Sequence, residues 1–187
     1  MLNASKLQSF FQAGHSFADY TALDSKGASW RKNRENATLT TQQQLLLKEF
    51  TREMNVLVMS SLWCGDCIEQ CPLFDLIASG SDKINLKFVD RDDFEELKNA
   101  LVINTGNRVP IVIFMAEDYE FCSAYGDRTL SRYRNVASAL NGACSTGIGS
   151  QPTELTAMAV QEWLNEFERI QLMLKTSARL RKKHGEI

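Results

Sequence analysis

The sequence predicts an α/β layer sandwich with a central mixed β-sheet and extra N-terminal helices. Three observations carry that prediction. A short, unbroken apolar run, VLVMSS from Val56, leads directly into the helical stretch CIEQCPLFDLIASG. The segment VPIVIFM is followed at once by EDYEFCSAYG, which turns and returns as an antiparallel hairpin. Near the C-terminus Val160, Trp163, Leu164, Phe167, Ile170 and Leu174 form one stripe, the face of a long helix packed on a sheet.

Taken in order, Leu7, Phe10, Phe11 and Ala18 recur at helical spacing and predict an opening helix. The polar stretch DSKGASWRKNREN reads as a loop. TLTTQQQLLLKEFTREM reads as a helix, opened by a capping box of Thr41 with Gln44 and carrying Leu46, Phe50 and Met54 on one face. VLVMSS has the character of a strand buried on both faces. The helix after it is closed by Gly80. KINLKFVD alternates Ile84, Leu86 and Phe88 as a second strand, and DDFEELKNALV is helical with acids in its first turn. VPIVIFM and the returning segment supply two more strands. NGACSTGIGSQP then connects to the final helix, giving the order β-α-β-α-β-β-α behind a helical extension.

The 187 residues, 44% hydrophobic and 24% charged, supply one globular core with additional elements and hardly two. A net charge of −2 provides no broad field for nucleic acid or anionic lipid. The basic end RLRKKHGEI reads as a solvated tail suited to the negative end of a helix dipole. The opening MLNASKLQSFFQAGHSF has no apolar core of signal-peptide length, and no later run approaches a membrane span. The expectation is a cytoplasmic protein with neither nucleic acid nor membrane as partner.

Five cysteines are present, three of them within SSLWCGDCIEQCP. In a reducing compartment such a cluster points to metal or redox chemistry rather than to a disulfide framework. Zinc would want four ligands, and Cys71, Cys122, Cys144, His15 and His184 make no second pair. A structural disulfide across so short a loop would restrict the unfolded chain little. A dithiol at a helix start has a specific consequence instead, because the free N–H groups and partial positive charge there favour thiolate. Cys64 falls at the tip and Cys67 one turn further in, so Cys64 can attack a disulfide and Cys67 can resolve the mixed disulfide. Cys71, four residues on and followed by Pro72, reads as an interior small hydrophobe.

These residues resemble the thioredoxin family. WCGDC followed by IEQCP is similar to its active-site segment, with Trp before the nucleophile and Pro72 at the position where a proline bends the helix. RVPIVIF resembles the family strand that begins with a cis-proline facing the disulfide, and Gly126 matches a family glycine near the site. The resemblance spans about residues 40–126 and the final helix; with YGDR and the N-terminal helices it is closest to one branch of thioredoxin-like proteins. It implies a thioredoxin-like three-layer sandwich in a single domain, 1–187: a helical extension over 1–39, a core over 40–140 and a C-terminal helix over 151–183. It also implies a catalytic pair, Cys64 and Cys67, and a substrate-binding set of Trp63, Gly65, Asp66, Val109, Pro110 and Gly126. Val109 would offer backbone groups to an extended substrate segment. Thioredoxins usually keep a buried Asp beneath the second cysteine and a Lys beside it; here those positions fall at Val58 and Leu86. Asp66 is then the carboxylate left to act as base for Cys67, or is simply a good first-turn residue.

The expected function is therefore reducing thiol–disulfide exchange on a protein or small-molecule disulfide, with a reductase or low-molecular-weight thiol as electron donor. No metal is expected, and no cofactor beyond the redox-active Cys64–Cys67 disulfide. The reducing direction rests on the compartment and on the charge of Asp66, which disfavours the Cys64 thiolate. Two other readings compete: a binding or adaptor module that uses the groove and N-terminal helices, and a glutathione-linked, glutaredoxin-like enzyme.

Overall fold

The computed structural model describes residues 2–140 and 154–187. Four helices come first: α1 (Ala4–Ala13), α2 (Phe17–Ala22), α3 (Gly27–Asn36) and α4 (Thr41–Lys48). The core then runs β1 (Met54–Ser60), α5 (Gly65–Ala78), β2 (Ile84–Asp90), α6 (Glu95–Ala100), β3 (Ile111–Ala116), β4 (Phe121–Gly126) and α7 (Leu130–Ala139), followed by α8 (Leu155–Thr176) and α9 (Ala178–Lys183). Among the described residues the sheet has four strands in the order β2-β1-β3-β4. β1 and β2 are parallel; β1–β3 and β3–β4 are antiparallel.

The register fixes which side chains share a face. Val56 pairs with Phe114, and Val58 with both Val112 and Phe88. On that face Phe114 meets Phe167 of α8 edge-on at 5.1 Å, and Trp163 meets Phe74 of α5 at 4.5 Å and Tyr125 at 5.1 Å. The six stripe residues of α8 are all buried. The opposite face, with Leu57, Met59 and Ile113, is covered by α1 through Leu7 and Phe11. The result is a three-layer α/β sandwich. Among the described residues no helix is long and apolar enough to cross a membrane.

Several elements differ from the sequence-based expectation. The opening helix is two helices, because His15 is extended and exchanges backbone hydrogen bonds of 2.8 Å with Phe88 at the edge of β2. Ser16 then caps α2 by accepting from the Asp19 N–H. The expected polar loop contains α3, whose anchor is one residue: Trp30 is fully buried against Phe17, Tyr20 and Phe88. The capping box of α4 is Thr40 with Gln43, one residue earlier than expected. That helix stops at Lys48, so Phe50 is buried in the connection and Met54 opens β1. Gly80 follows α5 without a left-handed turn; a Cβ there would lie 2.6 Å from Leu47 Cδ1, so a larger residue would push the end of the Leu47 side chain aside. α7 is additional, and Ser177 separates α9 from α8 by capping it. NGACSTGIGSQP, with Cys144, lies outside the described residues.

The extension is tied to the cysteine-bearing helix by a local defect. Pro72 lies inside α5 and has no N–H for the carbonyl of Ile68, four residues earlier. Asn33 of α3 fills the gap, its Nδ2 donating to the Ile68 carbonyl at 2.9 Å. Arg34 adds a 2.7 Å ion pair to Asp75. Asn33→Ala should therefore destabilise the protein by about 1 kcal/mol, measured by urea unfolding. In a Pro72→Ala background, where the helical N–H is restored, the same change should cost clearly less. Equal costs in both backgrounds would detach Asn33 from the proline.

Candidate active site

β1 ends at Ser60, and the next residues turn so that the Ser61 carbonyl accepts from the Cys64 N–H at 3.1 Å. Cys64 is extended (φ −76°, ψ 125°) and is the N-cap of α5, its carbonyl accepting the first helical bond from Ile68 at 2.9 Å. Cys64 is partly exposed, whereas Cys67 and Cys71 are buried, so three sulfurs run inward along one face of the helix. Cys71 therefore occupies the interior, as its spacing predicts. The hydrogen bond with Cys67 and partial burial push the Cys64 thiol up, while the backbone N–H groups of Cys67 and Asp66 push it down. Burial pushes Cys67 up, and its hydrogen bond with Cys64 opposes this. A pair coupled in this way loses its first proton jointly. Cys64 is the more exposed of the two sulfurs, the one that solvent and a substrate can reach.

The segment before β3 closes the other side. The Val109–Pro110 peptide is cis, and the Cys64 S–H lies 3.6 Å from the Val109 carbonyl. Gly126 pairs with Ile111 across the hairpin, and a Cβ on it would fall 2.4 Å from the Pro110 carbonyl oxygen. Trp63 is 54% exposed beside Cys64, with the Arg91 guanidinium 5.2 Å from its ring centroid. The structure thus gathers Trp63, Gly65, Asp66, Val109, Pro110 and Gly126 around the cysteine pair or directly behind it. Cys122 is at the far end of β4 from Gly126. Val58 is buried and Leu86 half-buried, an apolar pair of positions on the sheet face toward α8.

Asp66 is committed in a way its sequence position does not reveal. Arg128, just after β4, binds both carboxylate oxygens, Nε to Oδ1 at 2.7 Å and Nη2 to Oδ2 at 2.6 Å. Those bonds hold the Arg128 guanidinium firmly protonated. Its neighbour Asp127 accepts from Arg108 at 3.2 Å and from the Tyr133 hydroxyl. Burial would raise the Asp127 carboxyl, but hydrogen bonds from Tyr133, its own backbone N–H and Arg108 hold it below the usual carboxylate range.

Gln70 is the other residue sequence reasoning missed. It is fully buried in α5, where its Nε2 donates to the Asp127 carbonyl at 2.9 Å. Its Oε1 accepts from the Thr129 N–H at 3.3 Å and the Trp163 indole N–H at 3.2 Å. The available signal was a polar residue on the helix face of Cys67, Phe74 and Ile77. Cavities of about 560 Å³, by Leu39, Leu76 and Gly80, and about 280 Å³, by Val102, Ile111 and Tyr125, lie to the side of the cysteines. Neither is lined by Cys64 or Cys67.

Comparison with known proteins agrees with this architecture. The family model described as Thioredoxin matches residues 14–137. A 1.5 Å crystal structure of a protein of unknown function from Pseudomonas aeruginosa is similar, with a TM-score of 0.61 and 19% identity over 92% of this chain and 96% of that one. An HIV epitope-scaffold is similar with a TM-score of 0.64 and 16% identity, over 91% of this chain and 98% of the scaffold. At such identities the likeness concerns the fold. A search of curated proteins finds no match.

Gln70→Leu should leave the Asp127 carbonyl and the Thr129 and Trp163 N–H groups without their partner. At about 1–3 kcal/mol for an unsatisfied buried group, the loss should reach at least about 2 kcal/mol. Chemical denaturation reads it; a loss under half that value would mean the three groups find other partners.

Proposed function

Because the chain belongs to the thioredoxin family, we propose that it is a thiol–disulfide oxidoreductase acting through Cys64 and Cys67. The observation that carries this reading is the pair itself: a partly exposed sulfur capping α5, and a second, buried sulfur one turn behind it. The Cys64 thiolate attacks a substrate disulfide, forming a mixed disulfide and releasing one substrate thiolate. Cys67 gives its proton to the substrate thiolate released in the first step and attacks the Cys64 sulfur. The second substrate thiolate leaves, and the Cys64–Cys67 disulfide now holds the oxidised state. Two electrons have passed to the substrate, and a reductase or low-molecular-weight thiol returns them.

The exposed Trp63 and the Val109 carbonyl beside Cys64 favour an extended, disulfide-bearing protein segment as substrate. In this reading Val109 and Gly126 shape the groove and Trp63 is an apolar contact beside the sulfurs. Reduction is the direction assigned, for a protein working in the cytoplasm. The redox-active disulfide is the only prosthetic element this chemistry uses.

Cys64→Ser should abolish dithiothreitol-driven reduction of a model protein disulfide, followed by turbidity. Cys67→Ser should accumulate a mixed disulfide with substrate, visible by mass spectrometry. Cys71→Ala should retain most of the activity; equal loss in the Cys64 and Cys71 variants would replace the two-cysteine scheme with one built on all three. Iodoacetamide should modify Cys64 first and leave Cys71 unmodified in the folded protein. The rate should rise with pH as the thiolate populates, because only the thiolate is nucleophilic.

A further inference from the structure

Asp66 sits in the first turn of α5 between the two cysteines, and its own N–H is one of the groups facing the Cys64 sulfur. An unpaired carboxylate there would oppose the positive end of the helix at the position where the thiolate must form. Arg128 pairs with that carboxylate from 62 residues away. It engages both oxygens, and is itself held by Asp127 at 3.8 Å and by the Tyr133 ring at 5.6 Å. Both side chains of the pair are 22% exposed, so solvent screens the interaction only in part.

The remaining charges around the site are occupied: Arg91 with Asp92, Arg108 with Asp127, Arg132 with Glu69, and Asp90 with the Tyr20 hydroxyl. We propose that Arg128 is a positioning residue that keeps Cys64 reactive by locking the Asp66 carboxylate into a neutral pair beside it, an inference that rests on the redox reading above. The sequence places a carboxylate inside the dithiol motif, and the fold cancels it with one arginine from the segment after β4.

The test is the pH dependence of Cys64 alkylation by iodoacetamide, resolved by mass spectrometry in four proteins: wild type, Arg128→Met, Asp66→Asn and the double variant. Arg128→Met should raise the Cys64 pKa by about half to one unit, slowing alkylation at neutral pH about three- to tenfold. Asp66→Asn leaves Arg128 unpaired and should lower the pKa. The double variant should return toward wild type. The reduction potential, measured above the thiol pKa, should move in step: a less stable thiolate destabilises the reduced form and makes Arg128→Met the stronger reductant.

A strap that only ties two segments together would lower the melting temperature of both single variants and leave all four titrations alike, which overturns the proposal. A double variant that keeps the Arg128→Met shift overturns it too. Should Arg128→Met fail to fold, Asp66→Asn decides alone, and an unchanged Cys64 pKa in it overturns the proposal. None of these readouts needs turnover. Full activity in Cys64→Ser would remove the redox reading while leaving the assignment of Arg128 standing.

Discussion

The side-chain amide of Gln70 joins three parts of the molecule at one buried point. Its nitrogen holds the Asp127 carbonyl, and its oxygen holds the Thr129 N–H and the indole of Trp163. Through it, the helix that carries the cysteines is fastened to the segment after β4 and to the long C-terminal helix. A buried amide with three well-placed partners is stable only in one arrangement of those partners, because any slip leaves several polar groups dry and unpaired. That demand fixes where residues 127–129 lie, and so where the Arg128 guanidinium can reach.

The electrostatics follow from this placement. The residues flanking Gly126 bring Asp127 and Arg128 to opposite uses: Asp127 is turned to Arg108 and Tyr133, Arg128 to Asp66. Farther along, Glu162 of α8 accepts from the Ser131 N–H at 3.0 Å and closes the start of α7. Asp66, Glu69 and Arg108 are thus each matched by a partner from a distant segment, and Arg91 by the adjacent Asp92.

What could be read in the sequence is what local pattern determines. VLVMSS, the cysteines at a helix start, the hairpin after Pro110 and the α8 stripe follow from period, turn chemistry and proline placement, which act within a few residues. What could not be read depends on distant partners. α3 has a polar sequence with a single large apolar residue, and Trp30 makes it a core helix only because Phe17, Tyr20 and Phe88 are there to receive it. α7 reads poorly because it is inside out: Ser131 and Arg132 are buried while Leu130, Tyr133, Val136 and Leu140 are exposed. Asp66 reads as a free carboxylate because its arginine lies beyond three further strands.

The aromatic cluster of the extension also bears on how the chain is made. Tyr20 stacks on Phe88 at 5.8 Å and its hydroxyl reaches Asp90 at 3.2 Å, across 70 residues of sequence. α1, α2 and α3, of 10, 6 and 10 residues, are too short to hold together in water alone. On the ribosome they emerge before β2, which follows roughly 4–14 s later at about 5–20 residues per second. For that interval Phe10, Phe11, Phe17 and Trp30 have no surface to settle on. These helices wait for a strand made later, and that wait is a window in which a holding chaperone would find its binding site.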